Sequence, residues 1–382
     1  MDNELRKGGK NCLKGVIIGD IHFGIKDSKR LYEELSQFKE FILGKDDLQI
    51  VVINGDFFDR KLSIGDPESF YAISFFAELV KIVKEKKLIF RMIQGTKSHD
   101  LNQLQLFKHY ENDLDMDFRI IETVRTEDIS GLNVLYLPEE YPENSDEYYK
   151  DYKTGEYNII LGHGTWDFVA QPGVIEHSKL ETHSAPVFMW SEWKKSVENG
   201  FIVFGHIHGR NTYGKKIFYP GSFTRWNYGE RSEKGFVYFE YDLENKEYNV
   251  EYINNTMAPK YDVISVGELS LDLENTSVDL IKEALDATLN GTDNLRIDLS
   301  GLSKDKIDIL RKHYSDNSSV KLEVREKKTL LKESAESKSE EFKKWHYITK
   351  RQLPLDATIQ KYCKEELGVD LTLEVIGGII SE

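Results

Sequence analysis

The sequence predicts an α/β protein, a two-sheet β-sandwich flanked by helices. Three observations carry this. Short β-branched runs alternate with helical patterns over the first 110 residues. Those runs are apolar throughout, as in strands buried on both faces. Beyond residue 111 the pattern shifts to strands and hairpins.

Gly15-Val16-Ile17-Ile18 is the first strand and runs into Gly19-Asp20. Residues 30–43 follow with helical spacing in Leu31, Leu35, Phe38, Phe41 and Ile42. Ile50-Val51-Val52-Ile53 leads into Asn54-Gly55-Asp56. Asp66-Pro67 opens a helix, with Asp as cap and Pro at the first helical position. Leu88-Ile89-Phe90-Arg91-Met92-Ile93 is a third strand ending at Gln94-Gly95. Strands then fall at Asn133-Val134-Leu135-Tyr136-Leu137, at Tyr157-Asn158-Ile159-Ile160-Leu161 before Gly162-His163, and at Phe201-Ile202-Val203-Phe204 before Gly205-His206-Ile207-His208. Residues 236–241 and 248–253 are expected to pair as a hairpin across Glu244-Asn245. Met257-Ala258-Pro259 marks a boundary, and the expected domains are 1–257, 258–326 and 327–382. The second is a small α/β unit, with strands at residues 261–266, 295–299 and 320–324 and helices at residues 277–289 and 306–313. The third is a charged linker followed by an amphipathic tail.

The 382 residues carry a net charge of −15, which argues against a broad DNA-binding surface. The charge is uneven. Residues 111–156 hold 14 acidic and 4 basic side chains, read as a solvated stretch outside the site, whereas residues 304–351 hold 14 basic and 9 acidic. Cys12 and Cys363 are the only cysteines, which excludes a disulfide framework and fits a reducing, cytoplasmic setting. No apolar run is long enough to span a membrane, and residues 1–7 do not read as a signal peptide.

Four of these strands end in glycine followed directly by Asp or His, the third strand ends in Gly95 three residues before Ser98-His99-Asp100, and ligands in open α/β sheets bind outside the carboxyl ends of strands. Asp20, His22, Asp56, His99, His163, His206 and His208 are therefore expected to converge. Carboxylate plus imidazole suits a divalent transition ion. Asp20-Ile21-His22 and His206-Ile207-His208 each place two ligands two residues apart, on one side of an extended segment. Bridged by Asp56, they point to a dinuclear site. His109, His177, His183, His313 and His346 lack such placement and read as structural or exposed, His183 being the nearest to an exception.

In this order the motifs resemble those of the calcineurin-like metallophosphoesterases. They stand as Asp20-Ile21-His22, Gly55-Asp56-Phe57-Phe58-Asp59, Gly95-Thr96-Lys97-Ser98-His99-Asp100, Gly162-His163 and Gly205-His206-Ile207-His208. Asp20-Ile21-His22-Phe23-Gly24, Tyr219-Pro220-Gly221-Ser222-Phe223-Thr224-Arg225, Tyr228-Gly229-Glu230 and Lys234-Gly235-Phe236 narrow the resemblance to SbcD-type nucleases, in a compact form similar to phage-encoded members. The resemblance implies hydrolysis of DNA phosphodiesters by two Mn ions, with Mg or another divalent metal as substitute, clamping a phosphate and activating a shared water. It implies Asp20, His22, Asp56, His163, His206 and His208 as metal ligands, His99 as the catalytic histidine, Asp100 as the group orienting His99, and Asp59 as an outer residue. One motif departs: the family asparagine ligand is missing. Ser98 stands in its place before His99, and Thr96 is the other candidate, counting from Gly95.

The same resemblance implies that residues 258–326 cap the site and position DNA, and that the tail binds a coiled-coil ATPase of the SbcC type. It further implies a homodimer within a heterotetramer, working in DNA recombination, repair and replication in the cytoplasm, a host's if the chain is phage-encoded. Two other readings are a stand-alone phosphoesterase acting on a small or protein substrate, and a non-catalytic scaffold.

Overall fold

A computed structural model describes residues 12–324, apart from Lys26, Ile64, Leu101, residues 171–184 and Ser270. The linker and tail expected at 327–382, together with His177, His183 and His346, lie outside the described residues. The fold is mixed α/β, with two six-stranded sheets packed face to face between helices, as the sequence predicts.

The first sheet contains β1 (Cys12–Ile18), β2 (Ile50–Asn54), β3 (Ile89–Ile93) and β4 (Asp117–Ile121) as parallel neighbours. The second contains β5 (Arg125–Ile129), β6 (Leu132–Leu137), β7 (Ile159–His163) and β10 (Phe201–Gly205), with β6, β7 and β10 parallel. Between β7 and β10, β8 (Thr165–Trp166) and β9 (Val187–Phe188) form a two-stranded pair. β11 (Asn211–Tyr213) and β12 (Ile217–Tyr219) complete the second sheet. β13 (Gly235–Asp242) and β14 (Glu247–Asn254) form the expected hairpin, with Phe236 opposite Ile253 and Tyr241 opposite Tyr248. β13 returns antiparallel to β1 and extends the first sheet.

The strand pleat divides the core. Ile17, Ile50 and Val52 face the second sheet and pack with Val134, Leu161, Val203 and Phe239. Val16, Ile18, Val51 and Ile53 face outward onto α1 (Ser28–Glu34), α2 (Ser36–Leu43) and α3 (Pro67–Lys86). α3 opens as its sequence dictates: the Asp66 carboxylate accepts from the Glu68 N–H at 3.1 Å, and Pro67 takes the first position. The single helix expected over residues 30–43 is two helices. At Leu35 ψ opens to −8°, which interrupts the regular helix, while Leu35 N–H still donates to the Leu31 carbonyl at 2.9 Å and Leu35 and Phe38 both stay in the core.

Polar links tie the sheets together at both ends of the strands. Buried Arg91 on β3 reaches across to Glu127 on β5 at 2.7 Å. At the other end of the strands, the Asn54 side-chain amide donates to the Val203 carbonyl at 3.1 Å. A separate small sheet of β15 (Tyr261–Ser265), β16 (Asn294–Asp298) and β17 (Val320–Glu323) is parallel throughout and has its own core around Ile281, Leu285, Ile297 and Leu310. It meets the main body where the Arg296 guanidinium lies 4.3 Å from the Tyr228 ring centre. Among the described residues, no helix is long and apolar enough to cross a membrane.

Phe239 lies opposite Gly15, and its ring fills the space a side chain there would need: a Cβ on Gly15 would come within 2.4 Å of it. Phe239→Ala is expected to lower unfolding free energy by about 3–5 kcal/mol. Chemical denaturation measures this, and a loss well under about 1 kcal/mol would contradict the close packing described.

Candidate metal centre

The parallel strands of both sheets end at one side of the sandwich, and six of those ends bring polar side chains together. Asp20 and His22 follow β1, Asp56 and Asp59 follow β2, and Thr96 and His99 follow β3. From the second sheet come Glu139 after β6, His163 as the last residue of β7, and His206 and His208 after β10.

The loops reach this arrangement through turns. Asp20, His22 and Asp56 have φ of 49°, 58° and 49°, and His206 has φ of 92°. Such left-handed backbone is uncommon outside glycine and costs about 1–3 kcal/mol per residue. Main-chain bonds between the two loops hold it: Asp20 N–H donates to Gly55 O at 3.1 Å, and His22 N–H to Asp56 O at 3.0 Å. Asp20 and His22 thus share a side because the chain turns, and the extended geometry expected for this pair is replaced. Gly55 has φ +86°, and a Cβ there would sit 2.1 Å from His163 Nδ1, so a glycine is needed for ring and loop to touch.

Three groups of donors result: Asp20 with His22 and His208, Asp56 with His163 and His206, and, toward the rim, His22 with Asp59 and His99. His22 Nε2 and His208 Nε2 are 2.9 Å apart, and each lies within 4.0 Å of Asp20 Oδ1. Asp56 Oδ2 is 3.2 Å from His163 Nε2 and 3.8 Å from His22 Nε2, so one oxygen faces both of the first two groups. Donor atoms about 2.1 Å from a shared ion lie about 3–4 Å from one another. These spacings and this hard, mixed donor set fit a divalent cation. The floor is buried, whereas the side chains of His99, His206 and His208 remain about a third exposed and form the rim.

Hydrogen bonds orient the rings. His163 Nδ1 donates to the Asn54 carbonyl at 3.0 Å, which leaves Nε2 for the site. His99 Nδ1 donates to the Asp59 carbonyl at 2.7 Å, and the Asp59 carboxylate lies 3.5 Å away. Asp59 Oδ1 is also 3.2 Å from His22 Nδ1. The expected orienting role of Asp100 therefore falls to Asp59. Asp100 is fully buried, and its oxygens accept from Gly95 N–H at 2.8 Å and Phe58 N–H at 3.1 Å, which shapes the loop that carries His99.

Ser98 is exposed, while Thr96 sits among the other donors. Thr96 Oγ1 is 3.2 Å from Asp56 Oδ2 and 3.4 Å from both His163 Nε2 and His206 Nδ1. The cause is geometric: Thr96 N–H donates to Asp56 Oδ1 at 2.6 Å immediately after the strand, and the next residues turn outward as a short helix. Glu139 is the residue that sequence reasoning missed. It lies within the acidic stretch expected to be solvated, yet it is buried with Oε2 3.4 Å from His206 Nδ1. The signal was its place two residues past β6, where the neighbouring parallel strands carry their ligands. His109 and His313 are exposed, as expected.

The segment from Tyr219 to Phe236 buttresses the histidine loop from behind. Buried Lys234 donates to the His208 carbonyl at 2.9 Å and to Ser222 Oγ at 2.8 Å, and pairs with Glu230 at 2.7 Å. Arg225 spans Glu230, Ser232 and Ala258 carbonyls and so anchors the same turn to the domain boundary.

Proton affinities follow from this packing. Burial opposes charge on Asp56, but the His163 and His22 rings beside it hold its carboxyl well below the usual range. Burial likewise opposes charge on His163, yet the Asp56 carboxylate keeps its proton bound well above the ordinary histidine value. His99, bonded to Asp59, is pushed up to about 9. Burial and the Asp56 charge raise Asp100 to about 7. A bound cation must displace the His163 proton, so divalent-ion affinity is expected to rise with pH through neutrality and above, with proton release. Calorimetry in buffers of different ionisation enthalpy reads this, and a pH-independent affinity without proton release would contradict it.

The chain is similar to two viral proteins named as candidate phosphoesterases. 244L of Invertebrate iridescent virus 6 is 25% identical over 272 residues, 67% of this chain and 86% of that protein. 078R of Invertebrate iridescent virus 3 is 24% identical over 267 residues, 66% of this chain and 69% of that protein. Among solved structures, GAP50, the anchor in the inner membrane complex of Plasmodium, aligns with 64% of this chain and 85% of its own at 13% identity and a TM-score of 0.37. The family model for calcineurin-like phosphoesterases matches residues 13–210, which include every strand-end donor from Asp20 to His208, and the chain belongs to that family.

Proposed function

We propose that this phosphoesterase is the nuclease subunit of a two-protein DNA exonuclease/endonuclease, using two Mn ions and working with an SbcC-type coiled-coil ATPase. The observation that carries the reading is the pair of donor groups sharing one Asp56 oxygen, with His99 at their exposed rim. Bound divalent ions would supply Lewis acidity and an activated water. Asp20, His22 and His208 would hold one, and Asp56, His163 and His206 the other. The partly exposed side chains of His99, His206 and His208 are the ones a phosphodiester would meet first.

His99 then acts on the phosphate itself. Its Nδ1 is committed to Asp59, so Nε2 is the atom free to meet substrate. Its hydrogen bond to Asp59 raises the ring's proton affinity and so favours the cationic form. A cation there steadies a phosphate oxygen or protonates the departing one. The DNA substrate, as distinct from other phosphodiesters, rests on the SbcD-like segments at residues 219–236 and on the capping unit at residues 258–326, which follows the site in the chain.

His99→Ala is expected to lower Mn-dependent cleavage of linear duplex DNA about a hundred- to ten-thousand-fold while Mn content stays unchanged. Wild-type cleavage rates in that variant would refute the assignment. Deleting residues 340–382 is expected to abolish association with the ATPase and to spare hydrolysis of small phosphodiesters. A co-purification assay checks this, and an intact complex would count against the tail as the docking element.

A further inference from the structure

We propose that Glu139 is itself a metal ligand, completing the group formed by Asp56, His163 and His206. The inference rests on the reading that the Asp20 and Asp56 groups hold one ion each. Glu139 Oε2 lies 3.4 Å from His206 Nδ1, 3.8 Å from His163 Nε2 and 3.2 Å from Thr96 Oγ1. Those are the separations at which the other donors of the site stand from one another.

Position supports the assignment. β6, β7 and β10 are consecutive neighbours in the second sheet, and each ends in a donor: Glu139, His163 and His206. The Glu139 N–H donates to the Gln94 carbonyl at 3.2 Å, which ties this end of the second sheet to the end of β3 in the first. Tyr141 OH donates to Glu139 Oε1 at 2.5 Å, which fixes the carboxylate and leaves Oε2 turned toward the histidines. An outer hydrogen bond of this kind is what holds a ligating carboxylate in place.

Charge supports it as well. Glu139 is 2% exposed, and among the described residues its charged partners are imidazoles and not a lysine or arginine. A carboxylate taken out of water without a cation is costly. The motif after Gly95 lacks the amide expected there, and Thr96 offers one neutral hydroxyl instead. With Glu139, the group carries two carboxylates, Asp56 and Glu139, which match a divalent charge.

The test is equilibrium dialysis of the full chain against Mn, with bound metal counted by mass spectrometry. Wild type is expected to hold two ions, and Glu139→Gln, which keeps the volume and the Tyr141 partner, to hold one tightly while the other weakens at least about ten- to a hundred-fold. Glu139→Asp keeps the charge but withdraws it by one methylene, and is expected to weaken the same ion by less. Two ions at wild-type affinity in Glu139→Gln would overturn the role of Glu139 alone. A single ion in wild type would overturn the two-ion reading together with this inference.

Discussion

One electrostatic constraint shapes this end of the molecule: carboxylates are buried beside one another with imidazoles as partners. Asp20, Asp56 and Glu139 are all nearly removed from water. Among the described residues their charged partners are histidines. An ion taken from water into protein costs several kcal/mol unless it is compensated. Asp100 escapes by another route, accepting two backbone N–H groups and binding its proton more tightly. For the others the chain provides rings, and the Asp56 carboxylate raises the proton affinity of His163 beside it.

The sandwich exists to bring these groups to one place. Six parallel strands deliver donor side chains at their carboxyl ends, but the two sheets must also be in register with each other. Asn54 couples the two requirements. Its side chain crosses to Val203 of the second sheet, and its own carbonyl receives the His163 ring. Sheet packing and ligand orientation therefore share a residue. From the far side, Lys234 and Arg225 fix the turn that follows the histidine loop. The residues that narrow the resemblance to SbcD-type nucleases are thus buttresses of that loop in this structure.

Much of the layer order was legible because the parallel strands are uninterrupted β-branched runs ending in glycine, a pattern with few alternatives. The break at Leu35 was not, since both helices present the same apolar spacing and only the turn between them differs. At the site, residues spaced within a motif were legible, and contacts made between motifs were not. Spacing could not say that Asp59, rather than Asp100, would lie against His99, because that depends on how two loops pair through their backbones. Counting from the strand end favoured Thr96, counting back from His99 favoured Ser98, and the short helix starting at Lys97 decides for Thr96. Glu139 was hidden by composition. Surrounded by acidic residues, it reads as one more surface charge, and only the adjacency of β6 to β7 brings it inside. The net charge of −15 therefore counts at least one carboxylate, Glu139, that is buried beside His163 and His206 and is not part of the solvated surface.

The most direct test of the central claim is anomalous X-ray diffraction at the Mn absorption edge from crystals grown with Mn. The account predicts two peaks on either side of Asp56, one against His22 and His208 and the other against His163 and His206. A single peak, or density away from these residues, would contradict it.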